Sequence, residues 1–131
     1  MFAKYNAKIQ HIQNRIKFVN SNIDKFYQGK YDLIISNPPY IKNYKINYLD
    51  DDVKLYEPKV ALDGGIDGYS KTKKVIEKSS KLLKTNGKLV LEIDDKQKIF
   101  INEILKENRF YINKIVKDLA KKYRCIVSTK I

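Results

Sequence analysis

Cysteine is almost absent from this 131-residue chain. Cys125 stands alone, which excludes a disulfide framework and a cysteine metal cluster and suits a reducing cytoplasm. Histidine is as scarce, and His11 has no acid or cysteine close by in sequence, so no metal site follows from it. No run approaches the roughly 18 apolar residues of a membrane span, and no basic-then-apolar signal peptide opens the chain. The expectation is a cytoplasmic protein with no membrane partner. Acidic residues are outnumbered, 15 against 27 Lys plus Arg, for a net charge of +12. That excess fits lysines scattered over solvated faces, or a surface for nucleic acid, the ribosome or an acidic protein. Arginine, the better bidentate reader of phosphates and bases, occurs only at Arg15, Arg109 and Arg124, so scattered lysines are the preferred reading.

Hydrophobic residues make up 43% of the chain, enough for one globular domain with a real core. Proline is rare, with three in all, and two of them are adjacent. They close the stretch Tyr31-Asp32-Leu33-Ile34-Ile35-Ser36-Asn37-Pro38-Pro39-Tyr40. The run Leu33-Ile34-Ile35 reads as a buried strand, and two prolines cannot continue it. Asn37 is thereby left at the C-terminal edge of a strand, where open α/β sheets place ligands. Each proline holds the residue before it extended. The Asn37 side-chain oxygen and the Pro38 carbonyl then face one cavity as two fixed acceptors for a planar –NH2 group. Tyr40 offers a flat face for stacking. Holding both hydrogens orients a delocalised nitrogen for attack on an electrophilic methyl group. The plainer reading is a proline turn that ends a strand.

Asn37-Pro38-Pro39-Tyr40 resembles the signature of S-adenosylmethionine-dependent methyltransferases that act on amide or exocyclic amino nitrogens. Further residues narrow the resemblance. Tyr56-Glu57-Pro58, then Ala61-Leu62-Asp63-Gly64-Gly65-Ile66-Asp67-Gly68, are similar to the HemK-type glutamine methyltransferases of peptide chain release factors. Leu91-Glu92-Ile93 with Gln97, and Lys117-Asp118-Leu119 followed by Arg124, match the same family in order and spacing. The resemblance covers essentially the whole chain. It implies an α/β, Rossmann-like methyltransferase fold with an antiparallel strand pair at the C-terminus. It implies S-adenosylmethionine as cofactor and a release factor as protein partner, with Asn37, Pro38, Pro39 and Tyr40 as the catalytic set and Glu57-Pro58 as a brace for their loop. Asn37, Asn22 and Ile23 would touch the cofactor; Asn22 stands where the family has an acid, and an asparagine turn is the alternative there.

Two family parts are missing. No glycine-rich turn follows a first strand, and no acid ends a second one; Gly64-Gly65-Ile66-Asp67-Gly68 follows no strand. Residues 1–131 therefore read as the C-terminal portion of an N-terminally truncated catalytic domain, inactive alone. Its strand at 31–36 is expected to expose an unpaired apolar edge that invites dimerisation or a complementing N-terminal part. An adenine-amine methyltransferase and a noncatalytic basic module for RNA or the ribosome are the alternatives, nucleic acid being the less favoured partner.

In chain order, residues 1–13 read as an amphipathic helix with Phe2, Tyr5, Ile9 and Ile12 on one face, and Arg15 to Val19 as a short strand. Residues 41–68 are a long connection whose tyrosines (Tyr44, Tyr48, Tyr56) and glycines suggest a substrate loop. Asp50-Asp51-Asp52 reads as a solvated turn or helix start, because three adjacent carboxylates cannot converge on one ion. Tyr69 to Leu83 is a helix whose inner face is Thr72, Val75, Ile76, Ser79, Leu82 and Leu83, capped by Thr85-Asn86-Gly87. A strand at 88–93, a helix at 96–107 buried through Phe100, Ile101, Ile104 and Leu105, and strands at 110–117 and 124–130 complete the expectation, with Cys125 packing as a small apolar residue.

Overall fold

The computed structural model describes residues 2–48, 50, 52, 56 and 58–131. Its strands are β1 (Tyr31–Ser36), β2 (Leu83–Glu92), β3 (Phe110–Lys117) and β4 (Tyr123–Lys130), in one four-stranded sheet of order β1-β2-β4-β3. The described helices are α1 (Phe2–Ile9), α2 (Lys59–Leu62), α3 (Ser70–Leu82) and α4 (Lys98–Glu107). β1 and β2 are parallel, a pairing that requires a crossover, and α3 lies on that crossover. β4 runs antiparallel to both β2 and β3, so the expected C-terminal pair closes the sheet.

The core follows from two periodicities meeting. Along α3, Thr72, Val75, Ile76, Ser79 and Leu82 recur at helical spacing and are all buried. Along β2, Leu89 and Leu91 alternate with Lys88 and Val90, and Ile93 continues the buried set. Ile101, Ile104 and Leu105 of α4 and Ile126 of β4 join the same cluster. Ile34 pairs in register with Leu89 and packs against that cluster. Its neighbours Leu33 and Ile35 point to the other face, where described residues cover them only in part, and Ile35 is 70% exposed. The expected strand therefore forms, but it is an edge strand with one largely exposed face instead of a buried one. No described strand pairs with its outer side.

Several expectations are corrected. The first helix stops at Ile9, and His11 at φ 55° turns the chain away. Its apolar stripe is not buried: Phe2, Tyr5 and Ile9 are exposed, and Ala7 is the buried residue. Arg15 to Val19 is not a strand. Gln13–Arg15 is a 3-10 turn, and residues 16–22 join no ladder because no described strand lies beside them to take their hydrogen bonds. The helix expected from Tyr69 runs from Ser70 to Leu82, and Leu83 is already extended and paired with Tyr31. Thr85-Asn86-Gly87 is consequently no helix cap but part of a large bulge within β2. Between the pairs Tyr31–Leu83 and Leu33–Lys88, Asp32 alone faces residues 84–87, with Asn86 in the left-handed region at φ 64°. β2 thus starts earlier than the expected 88. The next helix begins at Lys98, after a 3-10 turn at Asp95–Gln97, and its Phe100 is only half-buried. Cys125 is half-buried in β4, in register with Glu92 and Val116.

Candidate active site

β1 ends at Ser36, and Asn37-Pro38-Pro39-Tyr40 leads away from the sheet's C-terminal edge. The prolines have no N–H to continue the ladder, so the turn is built into the sequence. Pro38 is buried, Pro39 and Tyr40 are half-buried, and Asn37 is exposed. All four line a cleft of about 340 Å³ with Ile41, Ala61 and Leu62. The asparagine amide therefore faces a cleft and not the core. Asn37 and Tyr40, expected to act together, are brought to one cavity.

The loop is pinned by the segment that follows. Ile41 N–H donates to the Leu62 carbonyl at 3.2 Å, Gly64 N–H to the Ile41 carbonyl at 2.8 Å, and Asn43 N–H to the Gly65 carbonyl at 3.0 Å. This makes a one-rung parallel bridge between Ile41 and Asp63. Gly64 and Gly68 sit directly against Tyr40. A Cβ at Gly64 would lie 2.8 Å from Tyr40 Cα, and one at Gly68 2.9 Å from the Tyr40 carbonyl oxygen. Gly68 also holds φ at 82°, which side chains disfavour. Asp67 ends the run by accepting from the Tyr69 and Ser70 N–H groups at 3.1 and 3.0 Å, which starts α3. Tyr44, Tyr48 and Tyr56 of the long connection are exposed, and Glu57 lies outside the described residues.

Behind this loop stands a polar brace in which Gln97, Asp118 and Arg124, given no role by the resemblance, are joined by Asp94. The Gln97 amide donates to the Gly68 carbonyl at 2.6 Å. Its oxygen accepts from Asp94 N–H at 3.2 Å, one half of a capping box at the 3-10 turn. Arg124 on β4 sits 3.6 Å from the Asp94 carboxylate and donates from Nε to Asp118 at 3.0 Å. The Asp118 hydrogen bond, then Tyr40 and Asp94 nearby, hold the Arg124 guanidinium above its ordinary pKa against a desolvation cost. The Lys122 N–H, with Arg124, holds the Asp118 carboxyl below the usual carboxylate range, again against desolvation. Beside the brace, the ammonium groups of Lys98 and Lys117 stand 3.8 and 4.7 Å from the Tyr123 ring centre and lower that phenol's pKa. Sequence spacing signals only the capping box, with Gln97 three residues after Asp94; the links to Gly68 and Arg124 carry no such signal.

The residues expected to touch cofactor are not gathered together. Ile23 lines an open groove of about 750 Å³ along β1 with Phe26, Tyr31, Leu33 and Ile35. Asn37 belongs to the separate cleft beyond the strand. The Asn22 side-chain oxygen caps the 3-10 turn Ile23–Lys25 by accepting from Asp24 N–H at 3.0 Å, so the asparagine turn is what forms. Gly64 and Gly68 press on Tyr40, and Gly65 on Ser70. The described residues that would hold S-adenosylmethionine are thus divided between two cavities and do not form a complete cradle for it. Among the described residues no group of His, Cys, Asp or Glu is arranged to hold a metal ion, and Asp51 lies outside them. No described helix is long and apolar enough to cross a membrane.

A family model described as Eco57I restriction-modification methylase matches residues 2–128. The chain belongs to that family. A release factor glutamine methyltransferase from Clostridium botulinum is 39% identical over 97% of this chain and 46% of its own length. A second, from Thermodesulfovibrio yellowstonii, is 34% identical over 91% of this chain and 43% of its own. A bifunctional methyltransferase from Rickettsia felis is 35% identical over 98% of this chain and 25% of its own. The chain therefore spans less than half the length of these relatives, and the likeness to HemK-type enzymes seen in the motifs extends along nearly all of it. In fold, the chain is similar to the ribosomal protein L11 methylase of Lactobacillus delbrueckii subsp. bulgaricus, with a TM-score of 0.66 at 18% identity over 98% of this chain and 51% of that one. TrmN from Thermus thermophilus gives 0.56 at 17% identity over 98% of this chain and 32% of that one. The fold is that of the α/β methyltransferases, with a mixed sheet ending in antiparallel strands.

Proposed function

We propose that this chain is the acceptor-binding part of a methyltransferase that modifies the side-chain amide nitrogen of a protein glutamine, with a peptide chain release factor as substrate. The observation that carries the reading is the exposed Asn37 beside buried Pro38 at a cleft walled by Tyr40. The Asn37 side-chain oxygen and the Pro38 carbonyl accept the two amide hydrogens. Pro39 keeps Pro38 extended, so the second acceptor is set before substrate arrives. Tyr40 packs on the amide plane and excludes water from one side. The nitrogen's lone pair is then directed out of the plane, towards the donor. S-adenosylmethionine, the donor the family implies, supplies an electrophilic methyl group. Residues 1–131 make up the C-terminal portion of the catalytic domain, and the rest of a protein of the relatives' length, or a second chain, holds the donor.

Two measurements test this reading. Isothermal titration of the 131-residue chain with S-adenosylmethionine should show no binding in the micromolar range. In a protein of the relatives' length containing this chain, Asn37→Ala should lower methyl transfer to a release factor far more than it lowers donor affinity. Equal losses would make Asn37 a donor-binding residue.

A second reading has its own support in the family model, whose description names a restriction-modification methylase. There the same two acceptors hold an adenine amine on an extruded base, and the +12 charge favours a nucleic-acid substrate. Methyl transfer to release factor against duplex DNA, with one preparation of the longer protein, separates the two.

A further inference from the structure

The acceptor loop touches solvent on one side and a chain of polar contacts on the other, and that chain reaches a residue with no place in the chemistry above. Tyr40 lies against Gly68. The Gly68 carbonyl takes the Gln97 amide hydrogen, and the Gln97 oxygen takes Asp94 N–H. The Asp94 carboxylate faces Arg124 Nη1 at 3.6 Å, and Arg124 Nε is bound to Asp118 at 3.0 Å. Each link joins a different segment: the loop, the end of β2, the C-terminal strand and its hairpin turn. Arg124 is only about a third exposed, and its guanidinium faces both carboxylates.

We infer that Arg124 and Gln97 are positioning residues for Tyr40, holding its backbone and ring at the angle the acceptor amide requires. This rests on the acceptor reading of Asn37 to Tyr40 and adds what sets that loop. The physical argument is one of selectivity among contacts. Glycine at 68 gives the loop no side chain of its own to anchor it, so the carbonyl is the available handle. Gln97 reaches it with an N–H while its own oxygen is fixed by the Asp94 backbone, so the amide cannot rotate freely. The turn that carries Asp94 is tied to β4 by the Tyr123 N–H on the Asp95 carboxylate at 2.8 Å and by the Ile93 N–H on the Arg124 carbonyl at 2.9 Å; the planar fork of Arg124 adds a charged contact that sets the Asp94 carboxylate between β4 and Asp118. A lysine carries the charge without the fork. It can reach one carboxylate well and the other poorly.

The test uses the full 131-residue chain with 3-fluorotyrosine incorporated and the Tyr40 resonance assigned through Tyr40→Phe. Binding of a glutamine-containing peptide is measured alongside, with its asparagine counterpart as control. In Arg124→Gln the Tyr40 fluorine signal should shift or broaden while those of Tyr27, under the Lys78 ammonium, and Tyr111, paired with Thr129 towards the other end of β4, stay in place. Peptide affinity should fall about five- to tenfold. Arg124→Lys should recover less than half of that loss. Gln97→Leu, which leaves both ion pairs intact, should produce the same Tyr40 change, and it stands in if Arg124→Gln does not fold. An unmoved Tyr40 signal in a folded Gln97→Leu chain would overturn the inference, as would full recovery by lysine. If the wild-type chain ignores the glutamine peptide while the Tyr40 signal still responds to both variants, the positioning role stands and the acceptor reading falls.

Discussion

Gly64 lies so close to Tyr40 that a single methyl group on its Cα would come within 2.8 Å of both the Cα and the carbonyl carbon of the tyrosine. The neighbour is backbone and cannot rotate aside. Its φ is not in the left-handed region, so the requirement for glycine there is one of space alone. Gly64→Ala should therefore push the Asn37–Tyr40 loop outwards and cost about 1–3 kcal/mol, a figure typical of overpacking. Urea denaturation gives the stability loss, and peptide binding should weaken with it. A variant as stable as the wild type would show that the loop yields freely.

The exposure of Asn37 predicts a different pattern for that residue. Asn37→Ala should leave the free energy of urea unfolding within about 0.5 kcal/mol of wild type, as expected for a surface site. Any loss of glutamine-peptide binding in this variant is then a loss of recognition and not of folding.

Thr72 Oγ1 and Ser79 Oγ are buried on the inner face of α3 with no hydrogen-bond partner among the described residues. Desolvating a hydroxyl without replacing its bond to water is unfavourable. Thr72→Val, which keeps the shape and drops the hydroxyl, should stabilise the chain by about 1 kcal/mol. A lower thermal midpoint for this variant would mean that the hydroxyl has found a partner in solution.

β1 leaves Leu33 and Ile35 largely exposed on one face and has an edge with which no described strand pairs, Ile35 being 70% exposed. Such an edge is a template for pairing with another chain. Sedimentation velocity should show concentration-dependent association of the chain, and Ile35→Lys should suppress it while changing stability by under about 0.5 kcal/mol. Association that persists in Ile35→Lys would move the contact elsewhere, towards the exposed stripe of α1.

The Lys122 N–H on the Asp118 carboxylate, with Arg124 beside it, makes the β3–β4 turn depend on pH. Asp118 has a folded pKa below its unfolded value, so its contribution is full above the unfolded value and is lost as pH falls through the folded one. Because Asp118 is solvent-accessible, the effect on global stability is small. The local effect is not. Lys121 N–H bonds the Asp118 carbonyl, and Lys122 N–H bonds its carboxylate. Below about pH 4 the β3–β4 turn should loosen first, seen as faster opening in amide exchange at these two lysines. Opening that stays unchanged between about pH 6 and 3, across the ordinary carboxylate range, would show that the carboxylate does not hold the turn.

Much of this protein could be read without coordinates, and the reason is that some signals are local. Pro38 and Pro39 end a strand by removing donors, wherever the strand sits. The helical spacing of Thr72 to Leu82 names a buried face from one segment alone. The failures share a cause as well. Arg15 to Val19 alternates acceptably but has no described neighbour to pair with, and α1 has an apolar stripe with nothing described to cover it. Asn86 has the backbone preference of a helix cap, yet pairing between Tyr31 and Leu83 makes the same residue part of a bulge.

By itself the sequence determined which residues form the Asn37–Tyr40 turn, that this turn ends a strand, and which face of α3 is buried. Only the tertiary structure decided that Gly64 and Gly68 serve Tyr40 by staying small, that Gln97 and Arg124 stand behind that loop, and that β1 is an open edge. Those are contacts between segments dozens of residues apart, and their cost or benefit depends on distances that no single stretch of chain encodes.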